Sequence, residues 1–256
     1  MSFKSLAPKQ TTMPARLNYL KRPKLKRPVL IAGLPGIAHI GKLAVEYLIR
    51  ELQAEKFAEL YSEYFPEWVV REDGLIKSLK VDFYHCRPKG ATQDIILATA
   101  DAQAASPVGQ YALSDEVLNV AKQYDVNTVA TMAAYMLSPQ EPRLKVVGAA
   151  TDGKTSKLLH DHSIELLKDG MIVGMNGLLV GLAAERDMHG FCLLGATEEG
   201  LLDVHATEAV LKAITDVFGF KLNLENLHKY APAVSKLKPP KFKLPQAVEE
   251  EVSYIR

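Results

Sequence analysis

One stretch organises this chain: Pro28-Val-Leu-Ile-Ala-Gly-Leu-Pro-Gly-Ile-Ala-His-Ile-Gly-Lys42. The apolar run at residues 29–32 predicts a buried strand, and the apolar pattern that starts near Ile40 predicts a helix. Between them we expect a structural turn formed by Gly33, Pro35, Gly36 and Gly41, because glycine permits backbone angles and close approaches that other residues forbid. A strand, a turn and a helix in this order are typical of α/β domains with a parallel sheet.

The same turn partly matches a phosphate-binding loop. Gly36, Gly41 and Lys42 have the spacing of that loop, but Leu43 stands where a serine or threonine would hold magnesium. The proline and the isoleucines of this turn also suit packing better than an open nest of backbone amides. We therefore interpret the stretch as a packed turn.

The composition is that of an ordinary globular chain of 256 residues, with 48% hydrophobic and 24% charged residues. A formal net charge of +1 gives no overall attraction to nucleic acid or to an anionic membrane. Cys86 and Cys192 lie in apolar runs, so we expect buried thiols and a cytoplasmic location. The first residues lack the apolar centre of a secretory signal. The most apolar window, residues 171–184, is too short to span a bilayer.

Three regions differ in composition. Residues 1–27 predict a basic N-terminal arm, residues 28–230 a single α/β domain, and residues 231–256 a Lys/Pro linker with a C-terminal tail. The arm carries a basic cluster between positions 21 and 27, but only Tyr19 lies near it, whereas binding of single-stranded nucleic acid uses interleaved aromatic residues. An arm in solvent, or one docked on a neighbouring subunit, is therefore favoured over nucleic-acid binding.

After the first helix, the pattern predicts alternating strands and helices. The predicted strands lie at residues 79–86, 95–98, 127–132, 144–149, 171–173 and 191–194, and the predicted helices at residues 114–124, 155–168, 178–186 and 203–218. Ser114 is expected to cap the first of these helices, and Asp73-Gly74 is expected to form the turn of a hairpin. The alternation predicts a mainly parallel or mixed sheet with helices on both faces.

A second loop matches the phosphate-binding pattern completely: Gly148-Ala-Ala-Thr-Asp-Gly153-Lys154-Thr155. In a nucleotide-binding protein its amides would surround phosphates, Lys154 would neutralise charge and Thr155 would hold magnesium. Asp152, however, places a negative charge where the phosphate would lie. A turn at Asp152-Gly153 with Thr155 as helix cap accounts for the same residues, and we favour it while keeping nucleotide binding as an alternative.

Ligands of open α/β sheets bind beyond the carboxyl ends of the strands. The candidate pocket expected at that edge consists of Asp101, Gln103, Asn176 and Thr197. A hydrolase- or phosphorylase-like enzyme would use such residues, although loops at strand ends are polar in most proteins. We expect no metal and no cofactor, because the seven histidines show no ligand spacing. His160 and His162, for example, point about 200° apart on a helix.

Phe65 and Trp68 belong to an aromatic cluster that contains the only tryptophan of the chain. Aromatic residues of this kind either anchor a core or form contacts with a partner protein. The sequence leaves both interpretations open.

Segments spread over residues 28–226 carry one further signal. They are residues 28–36 with Gly41, the stretch from Phe65-Pro-Glu67 to Asp73-Gly74, residues 95–97 with Asp101 and Gln103, Gly109-Gln-Tyr111, residues 174–182, and residues 192–195 followed by Thr197, Asp203 and Ala206. Together they resemble the proteasome assembly chaperone family in its archaeal form. The resemblance implies a three-layer phosphorylase/hydrolase-like fold, a homo-oligomer, and binding to proteasome subunits while the core particle is assembled. It carries over no catalytic residue.

Some archaeal members of that family end in a hydrophobic residue, a tyrosine and any third residue, and this tripeptide inserts into the end ring of the proteasome. Here Tyr254 is third from the end rather than penultimate, and it is kept with Phe65 and Trp68 as a candidate partner contact. The sequence thus predicts a non-enzymatic chaperone that binds α-type proteasome subunits or the core particle. The alternative is an enzyme that uses residues 148–155 or the strand-end pocket.

Overall fold

The computed structural model describes residues 15–136, 145–198 and 202–234. Its strands are β1 (Ala15–Tyr19), β2 (Val29–Ala32), β3 (Glu55–Ser62), β4 (Val69–Glu72), β5 (Leu75–Ser78), β6 (Val81–Cys86), β7 (Ile95–Ala100), β8 (Thr128–Met136), β9 (Val146–Ala150), β10 (Glu165–Leu166) and β11 (His189–Thr197). Its helices are α1 (Ile40–Glu51), α2 (Pro107–Gln123), α3 (Gly153–Asp161), α4 (Met175–Ala184), α5 (Val204–Val217) and α6 (Leu227–Val234). Among the helices of these ranges, none is long and apolar enough to cross a membrane.

Nine of the strands form one mixed sheet in the order β1-β3-β6-β7-β2-β8-β11-β9-β10. The four central strands β7, β2, β8 and β11 are parallel. On one side of them β6, β3 and β1 continue the sheet with antiparallel pairing, and on the other side β9 pairs antiparallel with β11. The mixed sheet with helices packed on it confirms the predicted α/β class.

Alternate residues of β2 point into two different cores, which is how a strand buried on both faces connects three layers. Leu30 and Ala32 pack in the core beneath α2 and α4. Val29 and Ile31 pack in the core beneath α1, α5 and α6. The continuous apolar run of β2 therefore reflects burial on both faces.

The turn after β2 allows α1 to approach the sheet closely. A Cβ atom on Gly33 would lie 2.1 Å from the carbonyl oxygen of Gly41, and a Cβ atom on Gly41 would lie 2.2 Å from the carbonyl oxygen of Met132. Real Cβ atoms do not approach backbone oxygen this closely, so both positions require glycine. The pair positions the whole helix α1 on β2 and β8.

Several element boundaries differ from the predictions. Helix α2 begins at Pro107, and its cap is Ser106, whose Oγ accepts a hydrogen bond of 3.1 Å from the Gly109 amide. Ser114, predicted as the cap, is fully buried within the helix. The error has a clear cause: proline fits the first turn of a helix, where its missing N–H is not needed.

The region after α3 also differs. Helix α3 ends at Asp161, and residues 165–166 form the edge strand β10, so the predicted helix at 155–168 is too long. Ser163 adopts a φ of +58°, which a continuing α-helix does not allow. Residues 171–173, predicted as a strand, lie outside every strand.

The hairpin predicted at Asp73-Gly74 is confirmed. Strands β4 and β5 pair antiparallel on either side of it, and both turn residues have positive φ, +50° and +80°. Positive φ at both central residues is the geometry that this dipeptide favours.

At the two ends of the domain the boundaries move outward. Strand β1 pairs with β3, so residues 15–19, predicted as part of the arm, belong to the main sheet. Helix α6 runs past the predicted boundary at residue 230 to Val234. Residues 1–14 of the arm, and the linker and tail from residue 235, lie outside the described residues.

Candidate functional site

The carboxyl ends of the four parallel strands meet at one edge of the sheet, where a ligand site was expected. The four residues of the candidate pocket do not share one cavity there. Gln103 and Asn176 lie together, Asp101 lines a second cavity, and Thr197 lies beside α5.

Gln103 and Asn176 line a cavity of about 300 Å³. The Asn176 side chain is only 3% exposed; its Oδ1 accepts from the Leu34 amide at 2.9 Å and its Nδ2 donates to the Leu34 carbonyl at 3.2 Å. Gln103 Nε2 donates to the Pro35 carbonyl at 2.6 Å, and its Oε1 accepts from the Met175 amide at 2.8 Å. Both amides thus fasten the loop after β2 to the start of α4.

Asp101 lines a separate cavity of about 320 Å³ together with Lys42 and Glu46. The Lys42 Nζ donates to the Ala100 carbonyl at 2.8 Å, lies 2.7 Å from a Glu46 carboxylate oxygen and 4.0 Å from Asp101 Oδ1. Burial raises the pKa of the Asp101 carboxyl, and the Lys42 ammonium partly opposes that shift. The lysine of the partial phosphate-loop match is therefore buried and already neutralised within the protein.

Thr197 forms part of a helix cap. Its Oγ1 donates to Asp203 Oδ2 at 2.8 Å, while Asp203 Oδ1 accepts from the Ala206 amide at 2.8 Å at the start of α5. This arrangement satisfies an otherwise unpaired amide of the first helical turn.

The loop from Gly148 to Thr155 also contains a cap. The Asp152 carboxylate accepts from the amides of Lys154 and Thr155, both at 2.9 Å, and the Thr155 hydroxyl donates to the Asp152 carbonyl at 3.1 Å. The hydrogen bond from the Thr155 amide, together with His189, lowers the pKa of Asp152. Gly148 lies within β9, where a Cβ atom would be 2.7 Å from Leu159 Cδ1. In this geometry a carboxylate occupies the amides that a phosphate would need.

The exposed part of this edge carries several large apolar side chains. We call them the apolar edge surface: Ile37, Val108, Tyr111, Met171 and Val173, all exposed. Met171 and Val173 are 91% and 86% exposed. Exposed apolar groups that form a connected patch mark surfaces for protein contacts.

Two neighbouring cavities link the residues of the apolar edge surface to one another. Val173 lines both the Gln103 cavity, to which Ile37 and Met171 contribute, and a groove of about 600 Å³ between α2 and α4, to which Tyr111 contributes. Val108 precedes Tyr111 by three residues on α2, so the two side chains lie on the same side of that helix.

Glycines explain why residues 171–173 project outward. Gly170 and Gly174 have φ of +127° and +90°, a region that other residues rarely adopt, and they bracket the segment. Ile172 packs against Gly177 of α4, where a Cβ atom would lie 2.5 Å from the Ile172 carbonyl oxygen. Ile172 therefore faces the protein, and its two neighbours face solvent.

The candidate partner contacts lie elsewhere. Phe65 is buried in the α2 core, and Trp68 is partly buried against the same core. Trp68 also lines a surface groove of about 530 Å³ with Arg16 and Tyr61. Tyr254 lies outside the described residues.

A local sequence signal exists for Val108 and Tyr111, whereas none exists for the group of His205, Glu208 and His228. Ser106-Pro107 marks a helix start, and recognising it would have placed Val108 and Tyr111 on α2. No spacing links His205 and Glu208 to His228, yet their potential ligand atoms lie within 4.8 Å of one another. The prediction that the protein holds no metal rested on sequence spacing alone and stays a prediction.

Comparisons with known proteins agree with the fold. The PAC2 family model matches residues 30–237. An uncharacterized protein of Methanocaldococcus jannaschii is 36% identical over 244 residues, which cover 90% of this chain and 93% of that protein.

Two solved structures from Pyrococcus furiosus are similar. PbaB, an archaeal proteasome activator, has a TM-score of 0.78 and 30% identity, covering 88% of this chain and 97% of its own. PbaA, an archaeal homolog of proteasome-assembly chaperone, has a TM-score of 0.72 and 24% identity, covering 87% and 94%. The resemblance inferred from the sequence is confirmed, and this chain belongs to the PAC2 family.

Proposed function

We propose that this protein is a non-enzymatic chaperone that binds α-type proteasome subunits or the core particle during assembly. The observation that carries the proposal is the apolar edge surface on a fold shared with a proteasome activator that is 30% identical. Family membership supports it as well.

The chemistry of the surface suits protein binding. Burying a methionine or valine side chain contributes about 1.5–3 kcal/mol, and Met171 and Val173 are available for such burial. Methionine and tyrosine are enriched in protein interfaces. The Gln103 and Asn176 hydrogen bonds hold the loops beneath the surface in one arrangement, which reduces the entropy that a binding partner must overcome.

Two further parts of the proposal rest on the sequence. The chain acts as a homo-oligomer, as the resemblance implies, and its N-terminal arm and C-terminal tail add contacts to the partner. Light scattering of the purified protein gives the oligomer mass, and a monomer at working concentration would contradict this part.

An enzymatic role has less support. In the Gly148–Thr155 loop, the backbone amides of Lys154 and Thr155 donate to the Asp152 carboxylate. The side-chain amides of Gln103 and Asn176 are hydrogen-bonded to backbone groups. Titration of ATP and magnesium into the wild type and into Lys154→Ala tests the alternative, because a nucleotide site would bind in the first and weaken in the second.

Co-expression with a tagged α-type proteasome subunit tests the proposed function. We expect the wild type to be enriched over an unrelated protein of similar size, and Met171→Asp/Val173→Asp to lose about tenfold or more of that enrichment. The matched control is Leu75→Asp/Ile76→Asp, which places the same charges on apolar positions of the β4–β5 hairpin that are 67% and 74% exposed.

The outcomes are distinct. If the wild type is not enriched, the chaperone role is contradicted. If the two double variants behave alike, or only the hairpin variant loses binding, the apolar edge surface is not the contact site.

A further inference from the structure

A cluster of three side chains with potential metal ligands lies between α5 and α6. His205 and Glu208 lie three residues apart on α5, and His228 lies in the first turn of α6. The His228 Nε2 atom is 3.8 Å from Glu208 Oε2, and the centres of the two imidazole rings are 5.1 Å apart. The three possible ligand atoms lie within 4.8 Å of one another.

We propose that His205, Glu208 and His228 form a binding site for a divalent transition-metal ion of the zinc type. Two imidazole nitrogens and one carboxylate oxygen are a ligand set that Zn²⁺ and its neighbours in the first transition series prefer. Three protein ligands leave a fourth position for water, as zinc sites with an open position do. The inference does not depend on the proposed function.

The distances fit a site that closes around the ion. Bonds of 2.0–2.1 Å in a tetrahedral arrangement place ligand atoms about 3.3 Å apart. His205 and His228 are both exposed, so small rotations of their side chains bring the three atoms from the observed separations to that distance.

One carboxylate oxygen of Glu208 is paired with a lysine, and the other is available to bind a metal ion. Lys212 Nζ donates to Glu208 Oε1 at 2.6 Å, while Glu208 Oε2 faces His228. A second hydrogen bond to a ligating carboxylate is usual in metal sites, because it holds the carboxylate in place. Lys145 and Asp203 line the adjacent cavity of about 330 Å³, where Asp203 is engaged in the cap of α5.

A bound ion would connect α6 to the rest of the domain. Leu227 and Ala231 hold α6 in the core beneath α5 and α1, and His228 lies between them in sequence. An ion shared by His228, His205 and Glu208 would stabilise the first turn of α6.

Calorimetric titration of ZnCl₂ into chelator-treated, tag-free full-length protein tests the site. We expect saturable binding of about one ion per chain with micromolar affinity or better, and at least a 100-fold loss in His205→Ala/His228→Ala. The control is His160→Ala, which removes an exposed histidine from α3 and should bind as the wild type does. Circular dichroism of each variant checks that it is folded.

Hydrogen exchange supplies a second readout. Zinc should slow exchange of the amides of residues 227–234 in the wild type and in His160→Ala, but leave the double variant unchanged. Absence of saturable zinc binding to the wild type would overturn the proposal. Undiminished binding to the folded double variant would overturn it equally.

Discussion

Two regions of the nine-stranded sheet fill the same face in opposite ways. In the centre, formed by β7, β2, β8 and β11, the side toward α1 and α5 carries fully buried apolar residues such as Ile31, Ala130 and Leu193. In the charged half, formed by β1, β3 and β6, the corresponding face of β3 and β6 carries Glu59 and Asp82.

The charged half is held together by an ion-pair network. Glu59 and Asp82 lie directly opposite each other on neighbouring strands, an arrangement that is unfavourable for like charges alone. Lys56 Nζ lies 2.7 Å from Asp82 and 3.5 Å from Glu59, and Lys80 pairs with Glu59 and lies 3.5 Å from Asp82. Tyr61 donates to Glu59 at 2.9 Å. Two lysines thus balance two carboxylates.

The two regions of the sheet are therefore stabilised by different interactions. Apolar burial beneath helices stabilises the centre. In the charged half, lysines and carboxylates on and beside β3 and β6 neutralise one another on a partly exposed face. We expect substitutions in the centre to affect stability more than substitutions in the charged half.

Gly33→Ala should have the largest effect, because its Cβ atom would meet the backbone of α1 and push the helix off the centre of the sheet. We expect the free energy of unfolding to fall by about 4 kcal/mol or more. Urea unfolding at one fixed protein concentration measures it. The control is Gly181→Ala in α4, where a Cβ atom meets nothing within 4 Å and alanine should raise stability by up to about 1 kcal/mol.

Glu59→Gln should have a smaller effect in the charged half. Glu59 and Lys80 have side chains only 14% and 16% exposed, so the loss of one carboxylate leaves the lysines under-neutralised. We expect a destabilisation of about 1–2 kcal/mol that shrinks in 1 M salt. Glu72→Gln breaks the exposed pair with Lys77 on the hairpin and should change stability little. Equal effects of the two variants would contradict the distinction between a half-buried network and a surface pair.

Asp101 lies at the border of the two regions. Asp101→Asn should have the smallest effect on the free energy of unfolding, and that effect should change with pH. Burial raises the pKa of the Asp101 carboxyl above that of the unfolded chain, so the folded state binds this proton more tightly. The stability of the wild type relative to Asp101→Asn should therefore fall as pH rises from about 3 to 7.

Glu59 should show the opposite trend. Burial opposes its ionisation, but the hydrogen bonds from Lys80 and Tyr61 prevail and lower the pKa of Glu59. The advantage of the wild type over Glu59→Gln is thus present at neutral pH and is lost as pH falls through the folded-state pKa. Unfolding curves of both variants at several pH values measure the two slopes, and slopes of the same sign would contradict this assignment.

Much of the fold was predictable because local patterns and tertiary packing agree. The apolar run of β2, the Asp73-Gly74 turn and the helical pattern of α5 all led to correct elements. Strand β3 was missed because its bulge and its Glu59 network interrupt the alternation of apolar and polar residues. The strand predicted at residues 171–173 was wrong because Met171 and Val173 face solvent instead of entering a core.

Less of the candidate site was predictable. The sequence correctly indicates that the residues after β2 and β7 lie at one edge, but it does not show which polar groups are already hydrogen-bonded. The Asn176 side chain is hydrogen-bonded to the backbone of Leu34, 142 residues away in sequence. The Thr197 hydroxyl is hydrogen-bonded to the carboxylate of Asp203, 6 residues away. The His205 cluster depends on the packing of α6 against α5, for which no local pattern exists.

The sequence by itself determined the α/β class, the order of most elements and membership in the PAC2 family, because apolar periodicity, turn residues and family motifs are written locally along the chain. Only the tertiary structure decided that Met171 and Val173 lie in solvent, that Lys42 is buried beside Glu46, and which side chains meet at the sheet edge. Those properties depend on which distant backbone and side-chain groups lie within a few ångströms, and residue spacing alone does not encode such distances.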